Sequence, residues 1–271
     1  MKHIWNDDEE KFLKESYPTM GMIYCMDKLN LNRIQIQNKV RILKLNLNDK
    51  VNIELFKNID TNKMSYIMGL LWADGCMSKD SETSYYIRLE GNMDDMISIE
   101  KIIYETGNWK KYIRQRTRKG KKCKKSVIYH IGFKKLHDIF KSYDFHYKSN
   151  SSPFKILNII PENLKFYFFR GISDGDGCFY INKKNGNYQF SISSTYEQDW
   201  SYLINLCKFL QISKYGIKTT INEKKKSKSS QFRITNKRDI VKIGNYIYNN
   251  FNDDKIGFDR KYKKFNQILE S

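Results

Sequence analysis

The chain lacks any long apolar run. No hydrophobic stretch approaches the roughly 18–20 residues that a helix needs to cross a bilayer. The opening Met1-Lys2-His3-Ile4-Trp5-Asn6-Asp7-Asp8 has no apolar secretory core, so neither a membrane partner nor secretion is expected. Paired cysteines are also lacking. Cys25, Cys76, Cys123, Cys178 and Cys207 are odd in number and widely spaced, with no Cys-x-x-Cys pair. That argues against a disulfide framework or a zinc ribbon and suits a reducing compartment, either the cytoplasm of a bacterial or phage-infected cell or an organellar matrix. The four histidines form no close pair. Acidic residues are few beside basic ones: 30 Asp and Glu face 49 Lys and Arg, a formal charge of +19 at pH 7.

That excess is uneven. Residues 1–60 carry 10 Lys and Arg against 9 Asp and Glu, and residues 61–271 carry 39 against 21. A field of this sign favours a polyanion. With 271 residues, 40% of them hydrophobic, the chain is long enough for one large or two ordinary domains.

Residues 5–45 read as three short helices. An acidic first turn, Asp7 to Glu10, suits a helix start, with Phe12, Leu13 and Tyr17 on an apolar side and Pro18 after it. A second helix is expected near Met22–Leu29 and a third from Arg33 to Lys44. Ile36, Val40 and Leu43 share one side of the third and Arg33, Gln37, Arg41 and Lys44 another. The segment resembles small helix-turn-helix or Myb-like modules, a resemblance that implies a third helix in the DNA major groove. A protein-binding or packing module is the other reading of the same residues. Domain limits of 1–48 for this module, 49–60 for a linker and 61–271 for the remainder follow, the last in halves of about 61–152 and 153–271.

Residues 61–271 contain an internal repeat. Tyr66-Ile67-Met68-Gly69-Leu70-Leu71-Trp72-Ala73-Asp74-Gly75-Cys76 aligns without a gap on Phe168-Phe169-Arg170-Gly171-Ile172-Ser173-Asp174-Gly175-Asp176-Gly177-Cys178. The two aspartates, Asp74 and Asp176, lie 102 positions apart. The apolar run predicts a helix in each copy, ended at Asp-Gly by a glycine in the left-handed conformation. Gly69 and Ala73 share one helix face, as do Gly171 and Gly175, and small residues there let two backbones approach closely. If the helices pair about a pseudo-twofold axis, the aspartates meet. A carboxylate at a helix C-terminus faces the negative end of the dipole, and a second beside it makes ionisation costlier. A divalent cation relieves both.

These residues resemble the LAGLIDADG signature, in two copies as in the single-chain, pseudo-symmetric homing endonucleases. The resemblance covers about residues 61–271. It implies an α+β fold of two αββαββα halves, with the motif helices between them and a saddle of strands in each half. In its register Asp74 and Asp176 take the metal-ligand position, and Ala73 and Gly175 the position whose backbone carbonyl contacts the metal. Mg2+ or Mn2+ is the implied cofactor and double-stranded DNA the implied partner. A monomer that cuts both strands is implied, in the service of copying a mobile element. An RNA maturase acting on intron RNA, or a non-cleaving DNA-binding regulator, is the alternative on the same fold. The first copy departs from the signature at Trp72, where Asp174 keeps the usual aspartate.

Other stretches fit a nucleic-acid reader. Lys110–Lys125 holds ten basic residues and no acidic one, and Arg114, Arg116 and Arg118 alternate within it, which on a strand places them on one face. In the second half Lys218, Thr220 and Asn222 alternate likewise. Asn185-Gly186-Asn187 predicts a hairpin turn. Near the end of each half the resemblance implies an active-site lysine, and Lys148 and Lys261 are the candidates.

Overall fold

A computed structural model describes residues 3–45, 53–81, 84–118, 121–182, 185–222 and 227–271. Helix α1 (Asp7–Leu29) starts on a capping box: the Asn6 side chain accepts from the Glu9 amide at 2.8 Å and the Glu9 carboxylate accepts from the Asn6 amide at 3.1 Å. Its backbone breaks at Gly21 (φ 74°, ψ −174°), so two helices meet at a kink. The stop expected at Pro18 therefore comes three residues later, at a φ open to glycine. The Asn108 side chain fills the space where a Cβ on Gly21 would stand. A second capping box, between Asn32 and Gln35, starts α2 (Arg33–Ile42). Ile36 and Val40 bury against Leu13, Tyr17 and Cys25, with Leu43 at the margin. Arg33, Gln37 and Arg41 stand exposed. Lys44 is exposed too, but it lies past the helix end at a positive φ of 51°, so it does not continue their face.

The rest of the chain is α+β. Helices α3 (Ile53–Asn58) and α4 (Asn62–Asp74) lead into β1 (Gly75–Ser81) and β2 (Ser84–Asn92). Then come α5 (Met93–Ser98), α6 (Glu100–Glu105), β3 (Lys110–Arg118), β4 (Lys121–Ile131) and α7 (Lys134–Ser142). The second round runs α8 (Phe154–Leu157), α9 (Lys165–Asp176), β5 (Gly177–Asn182), β6 (Asn187–Thr195), α10 (Ser201–Phe209), β7 (Gly216–Asn222), β8 (Ser227–Ile234) and α11 (Lys237–Ile247). Helices α12 (Phe251–Asp254) and α13 (Asp259–Leu269) close it. The four-stranded sheets have orders β1-β2-β4-β3 and β5-β6-β8-β7, the same order twice. Each buries one face, through Leu89, Val127 and Tyr129 in the first and Phe190, Ile192, Phe232 and Ile234 in the second. No helix among the described residues is long and apolar enough to cross a membrane.

Helices α5 and α6 part at Ile99. Helix α13 was not foreseen. Its buried Lys261, Phe265 and Ile268 follow helical spacing, but the basic residues among them mask the apolar period.

The chain divides into two compact units, Met1–Phe56 with Ser78–His137 and Lys57–Met77 with Asp138–Ser271. These cut across boundaries drawn at residues 48 and 60. In the first unit the N-terminal helices are docked on the first half. The Tyr24 ring meets the Tyr104 ring at 5.6 Å, and the Lys111 ammonium lies 2.8 Å from Glu100 and 3.8 Å from Asp27. Lys111, in the basic run read as DNA-facing, is thus engaged in an internal ion pair. Residues 49–52 of the expected linker, and 46–48 before it, lie outside the described residues.

Candidate active site at the paired motif helices

Helix α4 is buried from Met64 to Trp72 because its repeat is apolar nearly all round, and α9 from Phe166 to Asp174, where hydrogen bonds hold the buried Arg170 and Asp174. The two helices pack on each other through their glycines. A Cβ on Gly69 would overlap the Phe168 carbonyl, and one on Gly171 would overlap the Tyr66 carbonyl. The offset of 102 carries the first contact onto the second, which is the signature of a pseudo-twofold pair. Nearer the helix ends Gly175 lies against the Ala73 methyl and the Asp74 carboxylate, whose Oδ2 would be 3.1 Å from a Cβ there. The small residues thus let Asp74 reach the end of α9.

Each helix stops at its aspartate and the next residue begins a strand. Gly75 (φ −76°) and Gly177 (φ −80°) are extended, which corrects the expected left-handed cap. Glycine is needed there for space: a Cβ would collide with the Leu71 carbonyl at Gly75, and lie 2.8 Å from Ser173 Oγ at Gly177.

A lysine covers each helix end. Lys148 Nζ donates to the Trp72 carbonyl at 2.7 Å, the Ala73 carbonyl at 2.8 Å and the Leu71 carbonyl at 3.4 Å. Lys261 Nζ donates to the Ser173 carbonyl at 3.4 Å and closely to that of Gly177. Positive charge at a C-terminus offsets the helix dipole. Loss of solvation pushes the Asp74 carboxyl up to about 6, with the Asp176 charge adding to the rise. The same loss raises Asp176. It also lowers the Lys148 ammonium to about 8 and lowers Lys261, where Arg260 assists. The carboxylates remain hard to ionise despite two lysines because burial strips their hydration, and a bound cation would replace that lost solvation. Its donors are all oxygen: the two carboxylates and the helix-end carbonyls, a set that suits Mg2+ or Mn2+. The Ala73 carbonyl already accepts from Lys148, and its second lone pair is the one open to a metal. Among the described residues no group of three His, Cys, Asp or Glu forms a metal cluster.

The sequence profile of the LAGLIDADG-like domain matches residues 163–248, from the approach to α9 to the end of α11. The chain carries a LAGLIDADG-like domain. The fold of the chain is similar to that of the homing endonuclease I-WcaI, solved bound to its DNA recognition sequence, at 18% identity over 83% of this chain and 96% of that one, with a TM-score of 0.50. A variant of I-DmoI, solved in complex with its target DNA in the presence of Mg, is 13% identical over 69% of this chain and 96% of that one, with a TM-score of 0.39. No curated protein sequence matches the chain.

The open face of the LAGLIDADG-like domain's sheet is polar. Lys218, Gln231 and Ser193 form one cross-strand row and Thr220, Ser229 and Thr195 the next. Gln231 Nε2 donates to Ser191 Oγ at 3.2 Å and Ser193 Oγ at 3.0 Å, and Arg233 Nε donates to Gln231 Oε1 at 2.5 Å. The sequence reading named Lys218, Thr220 and Asn222 but missed Ser191, Ser193, Gln231 and Arg233. Their signal was the alternation Gln231-Phe232-Arg233-Ile234 with Ser191-Ile192-Ser193. Asn222 ends β7, and its side chain lies outside the described residues.

The first sheet is different on its open side. Tyr86 stacks on His130 at 5.3 Å, Tyr112 meets His130 edge-on at 4.9 Å, and the Arg88 guanidinium lies 5.5 Å over Tyr86. Arg114 is exposed on β3. The register shifts between Gln115 and Thr117, where β4 has one residue more than β3, so Arg114 and Arg118 pair in different registers. The side chains of Arg116 and Arg118 lie outside the described residues.

Proposed function

We propose that the chain is a site-specific endonuclease of double-stranded DNA that hydrolyses a phosphodiester in each strand and requires Mg2+ or Mn2+. One observation carries the reading: motif helices packed glycine against backbone, with Asp74 held beside Gly175 near Asp176 and a lysine over each helix end, Lys148 partly buried and Lys261 buried. Asp74 and Asp176, with the carbonyls of Ala73 and Gly175, would hold the cation. Bound there, it supplies positive charge to the phosphate and acidifies a water. Lys148 and Lys261 add fixed positive charge beside the phosphate. Lys148, lowered to about 8, is cationic at neutral pH yet close to exchanging a proton at Nζ.

Specificity falls to the open sheet faces. Arg88, Arg114, Tyr86 and Tyr112 suit phosphates and base edges in one sheet, and Lys218, Thr220, Gln231 and Arg233 in the other. Arg33, Gln37 and Arg41 on α2 would extend the contact. Both aspartates come from one chain, so a monomer suffices. The free thiols of Cys25, Cys76, Cys178 and Cys207 suit a reducing compartment. Copying of the mobile element that encodes it is the role this activity fits.

The test is incubation of the protein with DNA in which the two flanks of its own gene are joined, with and without Mg2+. A discrete double-strand cut that needs the metal and is lost in Asp176→Asn, with binding kept, is expected. Full cutting by Asp176→Asn would refute the assignment of the carboxylates.

A further inference from the structure

Two residues before each aspartate the repeats differ, with Trp72 in one and Asp174 in the other. Both touch the turn that carries the lysine of their half. The Trp72 ring meets the Phe145 ring edge-on at 5.9 Å, and Lys148, three residues on, lies with its Nζ 5.1 Å from the Phe145 centroid. The Asp174 carboxylate accepts the Phe258 amide proton at 2.8 Å, and Lys261 again lies three residues on. Asp174 is 1% exposed and also accepts from Tyr66 OH at 3.0 Å and Tyr248 OH at 3.3 Å. Gly257, at φ +135°, makes room for it, since a Cβ there would stand 2.9 Å from Asp174 Oδ2.

We infer that Trp72 and Asp174 are matched positioning residues. Each ties the lysine-bearing turn of its half to its motif helix, one through an aromatic contact and the other through a buried hydrogen bond. A buried carboxylate with three donors is worth its desolvation only while those donors are held, so it fixes the Phe258 backbone firmly. An aromatic pair has no such directional demand and fixes Phe145 by shape. The repeat keeps the task while the chemistry changes.

The inference rests on the nuclease reading only for its consequence in cutting, so the first test needs neither DNA nor metal. The intact protein is labelled with trace acetic anhydride and each lysine is followed by mass spectrometry. Asp174→Leu should speed modification of Lys261 roughly tenfold and leave Lys148 unchanged, whereas Asp174→Asn, which keeps an acceptor, should stay near the parent. Trp72→Leu should do the reverse, and Trp72→Phe should stay near the parent. If Asp174→Leu does not fold, Gly257→Ala disturbs the same hydrogen bond and should release Lys261 alone. Equal effects on both lysines, or none, would overturn the inference. On a supercoiled plasmid bearing the joined flanks, Asp174→Leu and Trp72→Leu should each accumulate nicked circles, cut in opposite strands. A parent protein that cuts nothing would fault the nuclease reading, and the labelling would still decide this one.

Discussion

The backbone of Gly171 lies against that of Tyr66, with the Tyr66 carbonyl in the volume that any side chain on Gly171 would need. The neighbour is backbone of a buried helix and has nowhere to go. Gly171→Ala and its counterpart Gly69→Ala should each destabilise the fold by about 3 kcal/mol, at the upper end for overpacking. Denaturant unfolding measures this, and an unchanged midpoint would mean the crossing has slack.

Stability of the metal-free protein should depend on the ionisation of Asp74. Its folded pKa of about 6 exceeds the ordinary 3.8, because burial and the Asp176 charge disfavour the anion. The folded state therefore holds the proton more tightly, so stability falls as pH rises from about 4 to 6 and levels off above. Thermal unfolding in EDTA across that range should show the fall, and Asp74→Asn should lessen it. A slope identical in the variant would assign the effect elsewhere.

Docking of the N-terminal helices makes them part of the first unit's stability. Gly21→Ala meets a positive φ and the Asn108 side chain together, and should cost about 2 kcal/mol. Removal of residues 1–48 takes away Tyr24, which meets Tyr104, and Asp27, which faces Lys111, so the shortened chain should melt below the full one. Hydrogen exchange would then show lost protection in α6. Equal melting of the two chains would make the module an independent appendage.

The cysteines separate by burial. Burial pushes the Cys25 and Cys207 thiols up to about 12, so at pH 8 about one molecule in ten thousand is thiolate. Cys76 and Cys178 are exposed, each two residues past its aspartate. Iodoacetamide at pH 8 should modify Cys76 and Cys178 and spare the buried pair until the protein unfolds. Early modification of Cys25 would report opening of the N-terminal helices.

The sequence by itself determined the duplication, its register and the place of each helix end. Those follow from local rules: an apolar run with small residues at helical spacing and an Asp-Gly stop. It also placed Lys218, Thr220 and Asn222 on one side of a strand in the second half. Only the tertiary structure decided which freedom each glycine serves, since Gly75 and Gly177 proved to need space and not a left-handed φ. It also decided that Lys111 is engaged in an internal ion pair, and that the N-terminal helices are held to the first half. Likewise it decided that Trp72 and Asp174, unlike in every chemical respect, touch corresponding turns. These depend on contacts between residues far apart in the chain, which packing settles and which no local pattern encodes.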